Sequence, residues 1–461
     1  MGRLSIPDAG WLLIEGRQNP MHVGGLQLFR PPADAGPDFL TDLADRLRSE
    51  HDVRPPFNQR LARPYGLAGT YRWVEDEVDL DYHFRHLALP EPGRLRELFA
   101  IVSRLHASLL DRHRPLWECY LIEGIEDGRF AAYTKIHHSM LDGIAAMRQL
   151  VRSFSEDPDE RDLPPPWAPT GNGRRPDPED PTGALAMTGK LVRLAAGEVT
   201  SGLSVARTVT TQVVRSRFDE SHVAPFQAPP SMLNVRLSGA RRFVAQSYEL
   251  ERIRAVGRLL GATVNDVILA MCSAALREYL LDHDALPDKP LIALVPVSFR
   301  APEDSDAGNA ISLVPANLAT HLDDPLARLD LIRSSMNAVK DRLRDMSPRD
   351  LINYGIVMTA PLILGELSGL SGRLRPTFNL VISNVPGPDR ALYWNGARME
   401  GLYPLSLLNE GYALNITMTS YDGSMNVGIT ADRKALPSVQ RLIDHLEDAL
   451  ADLEHAAGIG T

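Results

Sequence analysis

The sequence predicts an α/β (α+β) protein of two folded lobes, and three observations carry that prediction. Strand-like and helix-like patterns are interspersed in both halves of the chain. A stretch dense in proline, glycine and charge, DPDERDLPPPWAPTGNGRRPDPEDPTG at 157–183, interrupts the periodic pattern and reads as a linker. The length of 461 residues, 44% hydrophobic and 23% charged, suits two to three domains with a sizeable core and excludes wholesale disorder. The expected organisation is a first lobe at 1–156, a connector at 157–235 and a second lobe at 236–461.

The N-terminus, MGRLSIPDAGWLLIEG, has no apolar run of secretory-signal length before Pro7, Asp8 and Glu15 intervene. Arg129 to Ile136 is strand-like, with Phe130, Tyr133 and Ile136 among small or polar neighbours. From Gly143 the period changes, and Ile144, Met147, Leu150, Val151 and Phe154 fall on one helical face with Asp142 at the N-cap position. The connector continues as a basic helical segment to about Phe218. Between 184 and 218 its only charges are Lys190, Arg193, Arg207, Arg215, Arg217 and Glu198. Such a segment either lies on an anionic lipid surface or packs on the body of the protein; Gly189, Gly197 and Gly202 weaken it as a free amphipathic helix. In the second lobe, RFVAQSYEL at 242–250 alternates like a strand and a helix begins at Leu250. LIALVPVSFR at 291–300 reads as a buried strand. NLVISNVPGP at 379–388 is a strand closed by a Pro-Gly turn. Residues 413–432 form a hairpin through Asp422-Gly423. The longest apolar stretch, Gly355 to Gly365, contains Pro361 and falls short of the ~20 residues that cross a bilayer.

Lys plus Arg total 49 against 59 Asp plus Glu, a net charge of −10 that disfavours a nucleic-acid partner. The two cysteines, Cys119 and Cys272, point to neither a disulfide framework nor a Cys-based zinc site, and fit a reducing cytoplasm. The chemically informative stretch is HHSMLDG, at a strand-to-helix junction where α/β proteins present reactive side chains. Neighbours on a strand face opposite ways, so His137 and His138 do not both aim at one substrate. One histidine is suited to act as general base on a hydroxyl. Asp142 either orients that histidine or caps the helix. Purely structural histidines are the plainer alternative, and metal binding is weaker because HExxH and Cys ligands are missing. No phosphate loop, GxGxxG fingerprint or GxSxG nucleophile elbow occurs.

The motif formed by His137, His138, Asp142 and Gly143 matches the HHxxxDG signature of the CoA-dependent acyltransferase superfamily. More narrowly, the chain resembles the bacterial wax ester synthase/diacylglycerol acyltransferase family. The supporting motifs are PMHVGGLQLF (20–29), RPLWECYLIEG (114–124), TVNDVILAMC (263–272), VPVSFR (295–300), NLVISNVPGP (379–388) and SYDG (420–423). The DFGWG signature of the plant enzymes is absent.

The resemblance implies two chloramphenicol-acetyltransferase-like subdomains, with mixed sheets flanked by helices and a central substrate channel. It implies transfer of a long-chain fatty acyl group from acyl-CoA to a fatty alcohol or diacylglycerol, with His138 as general base, no acyl-enzyme and no cofactor. His137 becomes a supporting residue. Asp142 would bridge to Arg300 across the lobes, and breaking a partly buried pair would cost on the order of 3–5 kcal/mol. Asn265 and Asp266 open a helix, as caps or near the channel. Pro115, Leu116 and Trp117 shape its wall, and the apolar run from Gly355 to Ala360 leaves room for an acceptor chain. Arg241, Arg242, Arg373 and Arg375 are candidates for the CoA phosphates. The expected location is cytoplasmic, with peripheral contact to the inner membrane or lipid inclusions. Two further readings stand beside this one: a free-standing condensation-type enzyme using a carrier-bound donor, and an inactive lipid-inclusion coat protein.

Overall fold

A computed structural model describes residues 4, 6–66, 70–168, 219–224, 226–299, 310–344, 365, 371, 373 and 375–459. The first part of the chain forms α1 (Ile6–Ile14), β1 (His22–Arg30), α2 (Phe39–Ser49), β2 (Gln59–Leu61), β3 (Trp73–Glu75) and α3 (Leu80–His83). It continues through β4 (Phe84–Ala88), α4 (Leu95–Ala107), β5 (Trp117–Glu123), β6 (Phe130–His137) and α5 (Gly143–Val151). Then come β7 (Arg241–Glu249), α6 (Leu250–Leu260), α7 (Val264–Leu281), β8 (Ile292–Phe299), β9 (Ala310–Asn317) and α8 (Pro325–Arg344). The chain closes with β10 (Leu380–Val385), β11 (Tyr393–Trp394), β12 (Ala397–Leu405), β13 (Leu414–Tyr421), β14 (Ser424–Asp432) and α9 (Arg441–Ala456).

Local chemistry sets several of these boundaries. Gly261 adopts a left-handed φ of 63°, which ends α6. Two residues later Thr263 starts α7 with a capping box: its Oγ1 accepts the Asp266 N–H at 3.2 Å, and Asp266 Oδ2 accepts the Thr263 N–H at 3.0 Å. The N-cap is therefore Thr263, and Asn265 and Asp266 lie within the first turn. The Asp422-Gly423 turn has φ of 41° and 78°, as a tight hairpin requires.

Two six-stranded mixed sheets organise the molecule, in orders β11-β12-β1-β6-β5-β4 and β7-β14-β13-β10-β8-β9. The first is antiparallel except at β4–β5; in the second, β10 runs parallel to both β13 and β8. The expected division of the chain at 236 does not hold for the sheets. β12 crosses back and pairs with β1 from Gly24↔Leu405 to Arg30↔Arg398, so residues 393–405 complete the first sheet. Order along the chain carries no information about which strand pairs with β12.

Two further contacts weld the lobes together. Phe243 of β7 packs edge-on against Phe99 of α4, and its N–H donates to Ser103 Oγ at 2.8 Å. At Gly428 of β14 a Cβ would stand 2.0 Å from the Pro404 carbonyl of β12, so only glycine allows the sheets this close. Among the described residues no single helix is long and apolar enough to cross a membrane; α6 and α7 qualify only as a pair bent by 103°. Most of α7 is buried as the core helix of the second lobe. Arg300, Gly355, Ala360 and the basic segment at 184–218 lie outside the described residues.

Candidate active site

The site is built at the end of β6. Alternation along this strand places Tyr133, Lys135 and His137 on one face, and each finds a polar partner there. Tyr133 Oη pairs with His106 Nδ1 of α4 at 2.8 Å. Lys135, 1% exposed, meets Glu118 at 3.1 Å and donates to the carbonyls of Leu105 and Ser108 at 3.1 and 3.0 Å. His137, fully buried, has its Nε2 3.3 Å from Glu15 Oε1. The strand thus presents a buried polar ladder to the C-terminal end of α4 and the end of α1, each rung satisfied by charge or hydrogen bond.

Beyond His137 the chain is pinned on both sides. The His137 N–H donates to the Leu116 carbonyl and the His138 N–H to the Met21 carbonyl, both at 2.9 Å. The Ser139 N–H donates to His137 Nδ1 at 3.1 Å, with the Ser139 hydroxyl 2.7 Å from the same nitrogen. Nδ1 therefore accepts from the Ser139 amide, and Nε2 faces Glu15. Glu15 also accepts the Met21 N–H at 3.0 Å and pairs with Arg112 at 2.8 Å. Burial alone would raise the Glu15 carboxyl, but His137, the Met21 amide and Arg112 together hold it down to about 2. His137 is committed to this ionic cluster, and its ring is not available to substrate.

His138 is placed differently. It is partly exposed, and its ring lies against Trp11 of α1, with centroids 4.4 Å apart and planes tilted by 36°. Burial in this pocket lowers its pKa to about 4; Asp142 opposes the shift and His137 adds to it. His138 thus stands neutral at physiological pH, and a neutral imidazole keeps one ring nitrogen as an acceptor.

Asp142 is exposed and caps α5, its Oδ1 accepting the Ala145 N–H at 2.7 Å. Of the two roles open to it, this is the one its contacts display; its expected partner Arg300 is not described. Gly143 is the first helical residue, and a Cβ there would meet nothing within 4 Å. Pro115, Leu116 and Trp117 are buried. Leu116 packs in the cluster around Leu12 of α1, and Trp117 donates to the Phe57 carbonyl at 2.8 Å and stacks on His83 and Trp167. Their contribution to the site is to fix β5 and, through the Leu116 carbonyl, the start of the histidine turn. Asn265 is half-buried and Asp266 is occupied with the capping box.

The arginines divide. Arg241 is corrected: its side chain is 2% exposed, donates to the Gln18 carbonyl and faces Asp432 at 3.6 Å, so it ties the lobes together and is not open to a phosphate. Arg242 is half-exposed on β7. Arg373 and Arg375 share a cavity of about 790 Å³ with Lys289 and Asp288. Burial pushes the thiols of Cys119 and Cys272 up to about 11 and 12, so neither is a thiolate nucleophile. Among the described residues no group of three or more His, Cys, Asp or Glu could hold a metal ion.

Sequence reasoning missed Trp11, Glu15, Met21 and Arg112. The available signal was the spacing of Trp11 and Glu15, one helical turn apart.

Two six-stranded sheets joined by an exchanged strand, with HHxxxDG at the end of β6, are the setting for the comparison with known acyltransferases. Residues 4–268 match the wax ester synthase/diacylglycerol acyltransferase catalytic domain, and residues 307–454 match the C-terminal domain of the same family. The chain belongs to the wax ester synthase/diacylglycerol acyltransferase family and is an O-acyltransferase. It is 48% identical over 450 residues to the O-acyltransferase WSD of Acinetobacter baylyi, covering 96% of this chain and 95% of that one. A probable diacylglycerol O-acyltransferase of Mycobacterium tuberculosis is 45% identical over 454 residues, 98% of each chain. The solved wax ester synthase/diacylglycerol acyltransferase of Marinobacter aquaeolei superposes with a TM-score of 0.81 at 44% identity, over 99% of this chain and 100% of that one. The first condensation domain of a calcium-dependent antibiotic synthetase shares the fold alone, with a TM-score of 0.58 at 16% identity.

Proposed function

We propose that the protein moves a long-chain fatty acyl group from acyl-CoA to a fatty alcohol, giving wax ester, or to diacylglycerol, giving triacylglycerol. The observation that carries this reading is His138, a partly exposed imidazole packed against Trp11 and held neutral at physiological pH by burial. The lone-pair nitrogen of the His138 ring takes the hydroxyl proton as the alcohol oxygen attacks the thioester carbonyl. When the tetrahedral intermediate collapses, the C–S bond breaks and the imidazolium returns its proton to the departing CoA thiolate. Proton and electron pairs balance without an acyl-enzyme, and the raised thiols of both cysteines support that route. Relatives named for wax ester synthesis and for diacylglycerol acylation support both acceptors.

The cations Lys289, Arg373 and Arg375, gathered at one cavity, are proposed to hold the CoA phosphates. Both acceptors partition into lipid, which supports peripheral contact with a membrane or lipid inclusion. The deciding assay is CoA release from palmitoyl-CoA with hexadecanol or dipalmitoylglycerol, without any carrier protein. His138→Ala should lose about 10²–10⁴-fold in kcat. Equal turnover by the folded variant would end the general-base reading, and dependence on an added carrier protein would favour the condensation-type alternative. In the same assay, Gln at 289, 373 and 375 should raise KM for acyl-CoA and leave KM for the acceptor unchanged. Flotation with acceptor-loaded vesicles should recover the protein, and its failure would remove the lipid-contact reading.

A further inference from the structure

We propose that α1 is a clamp on the histidine pair, with Trp11 and Glu15 as positioning residues that hold His138 in its reactive setting; this rests on His138 being the general base. The Glu15 N–H donates to the Trp11 carbonyl at 3.1 Å, so the helical repeat carries one residue past Ile14. Trp11 and Glu15 therefore lie one turn apart on the same side of the helix, and they reach adjacent residues of the motif. Trp11 covers the His138 ring. Glu15 holds the His137 ring through Oε1 and also accepts the amide of Met21, whose carbonyl receives the His138 N–H. One carboxylate thus braces the base from two directions, through its neighbour's ring and through its own backbone. Arg112 fixes that carboxylate at 2.8 Å and donates to the Leu12 carbonyl at 2.6 Å, locking the clamp to α1 itself.

The two arms do different work. Trp11 shields His138 from water on one ring face, which disfavours the charged imidazolium. The titratable groups facing His138 are Asp142, ahead of α5, which favours the charged form, and His137, the last residue of β6, which opposes it. Glu15 and Arg112 stand behind His137. Removing Trp11 admits water, so the His138 pKa should rise from about 4 towards its ordinary value of 6.5. Removing the Glu15 charge frees the His137 ring and slackens the turn. That disturbs geometry more than proton affinity.

The test is the pH profile of kcat/KM, whose acid limb reports the base in the free enzyme. Trp11→Ala should move that limb upward by about one pH unit or more, and Trp11→Phe should restore it. Glu15→Gln should lower kcat about tenfold with KM for acyl-CoA little changed, because misplacement of the base costs the chemical step. If Trp11→Ala does not fold, Trp11→Leu removes the aromatic face at similar bulk and takes its place. Folded Trp11 variants with an unmoved acid limb would overturn the clamp while His138→Ala remains inactive. An active His138→Ala would instead overturn the general-base reading, and the clamp with it.

Discussion

At Asp142 one carboxylate sits beside the base and ahead of a helix at once. Its exposure and its 2.7 Å bond to the Ala145 amide make it an N-cap, a role that asparagine fills equally well. A loss of 3–5 kcal/mol requires a charge stranded in the interior, and Asp142 is at the surface. Asp142→Asn should therefore leave thermal stability almost unchanged, whereas Asp142→Ala should cost about 1 kcal/mol. Neutralising Asp142 also removes the charge that favours the His138 imidazolium, so the acid limb of kcat/KM should move down in both variants. A melting curve and a pH profile on the pair check both statements, and a large stability loss in Asp142→Asn would contradict the capping role. The histidine pair was legible in the sequence because strand alternation forbids two adjacent rings from sharing a target. The partner of each ring was not, since Glu15 and Trp11 lie more than a hundred residues away in the chain and reach the motif only through packing.

Among the elements, α7 shows how close a sequence reading can come. The run TVND suggests a helix start, and Thr263-x-x-Asp266 has the spacing of a capping box. Reading Asn265 and Asp266 as the opening residues missed by two positions. The cap is the residue whose side chain accepts from the third amide of the first turn, and that residue is Thr263. Thr263→Ala should destabilise by about 1 kcal/mol, measurable in urea, and Asn265→Ala should do so by less. Equal losses would indicate that the box is not what starts the helix. β6 illustrates a different limit. Its polar residues Thr134 and Lys135 resemble those of a half-exposed strand, yet the whole strand is buried. Lys135 stays inside because Glu118 and two carbonyls at the end of α4 replace its water. That compensation is tertiary and has no local signature.

At the scale of the whole molecule, the two mixed sheets agree with the two-lobe prediction, and the hairpin read at 413–432 and the strands read at 242–250, 291–300 and 379–388 correspond to β13–β14, β7, β8 and β10. The boundary at 236 misassigned β11 and β12 because hydrophobic alternation identifies a strand and not its neighbour. The exchange of β12 governs how the protein is made. β1 leaves the ribosome early, with Leu26, Leu28 and Phe29 ready for burial, but one of its edges has no partner until residue 405 has been synthesised. Until then the histidine-bearing sheet is an unfinished template whose unpaired edge can pair with other chains. A polypeptide ending at residue 235 should therefore aggregate, and co-expression with residues 236–461 should return it to the soluble fraction. A soluble, monomeric 1–235 would show that the sheet can close without its borrowed strand.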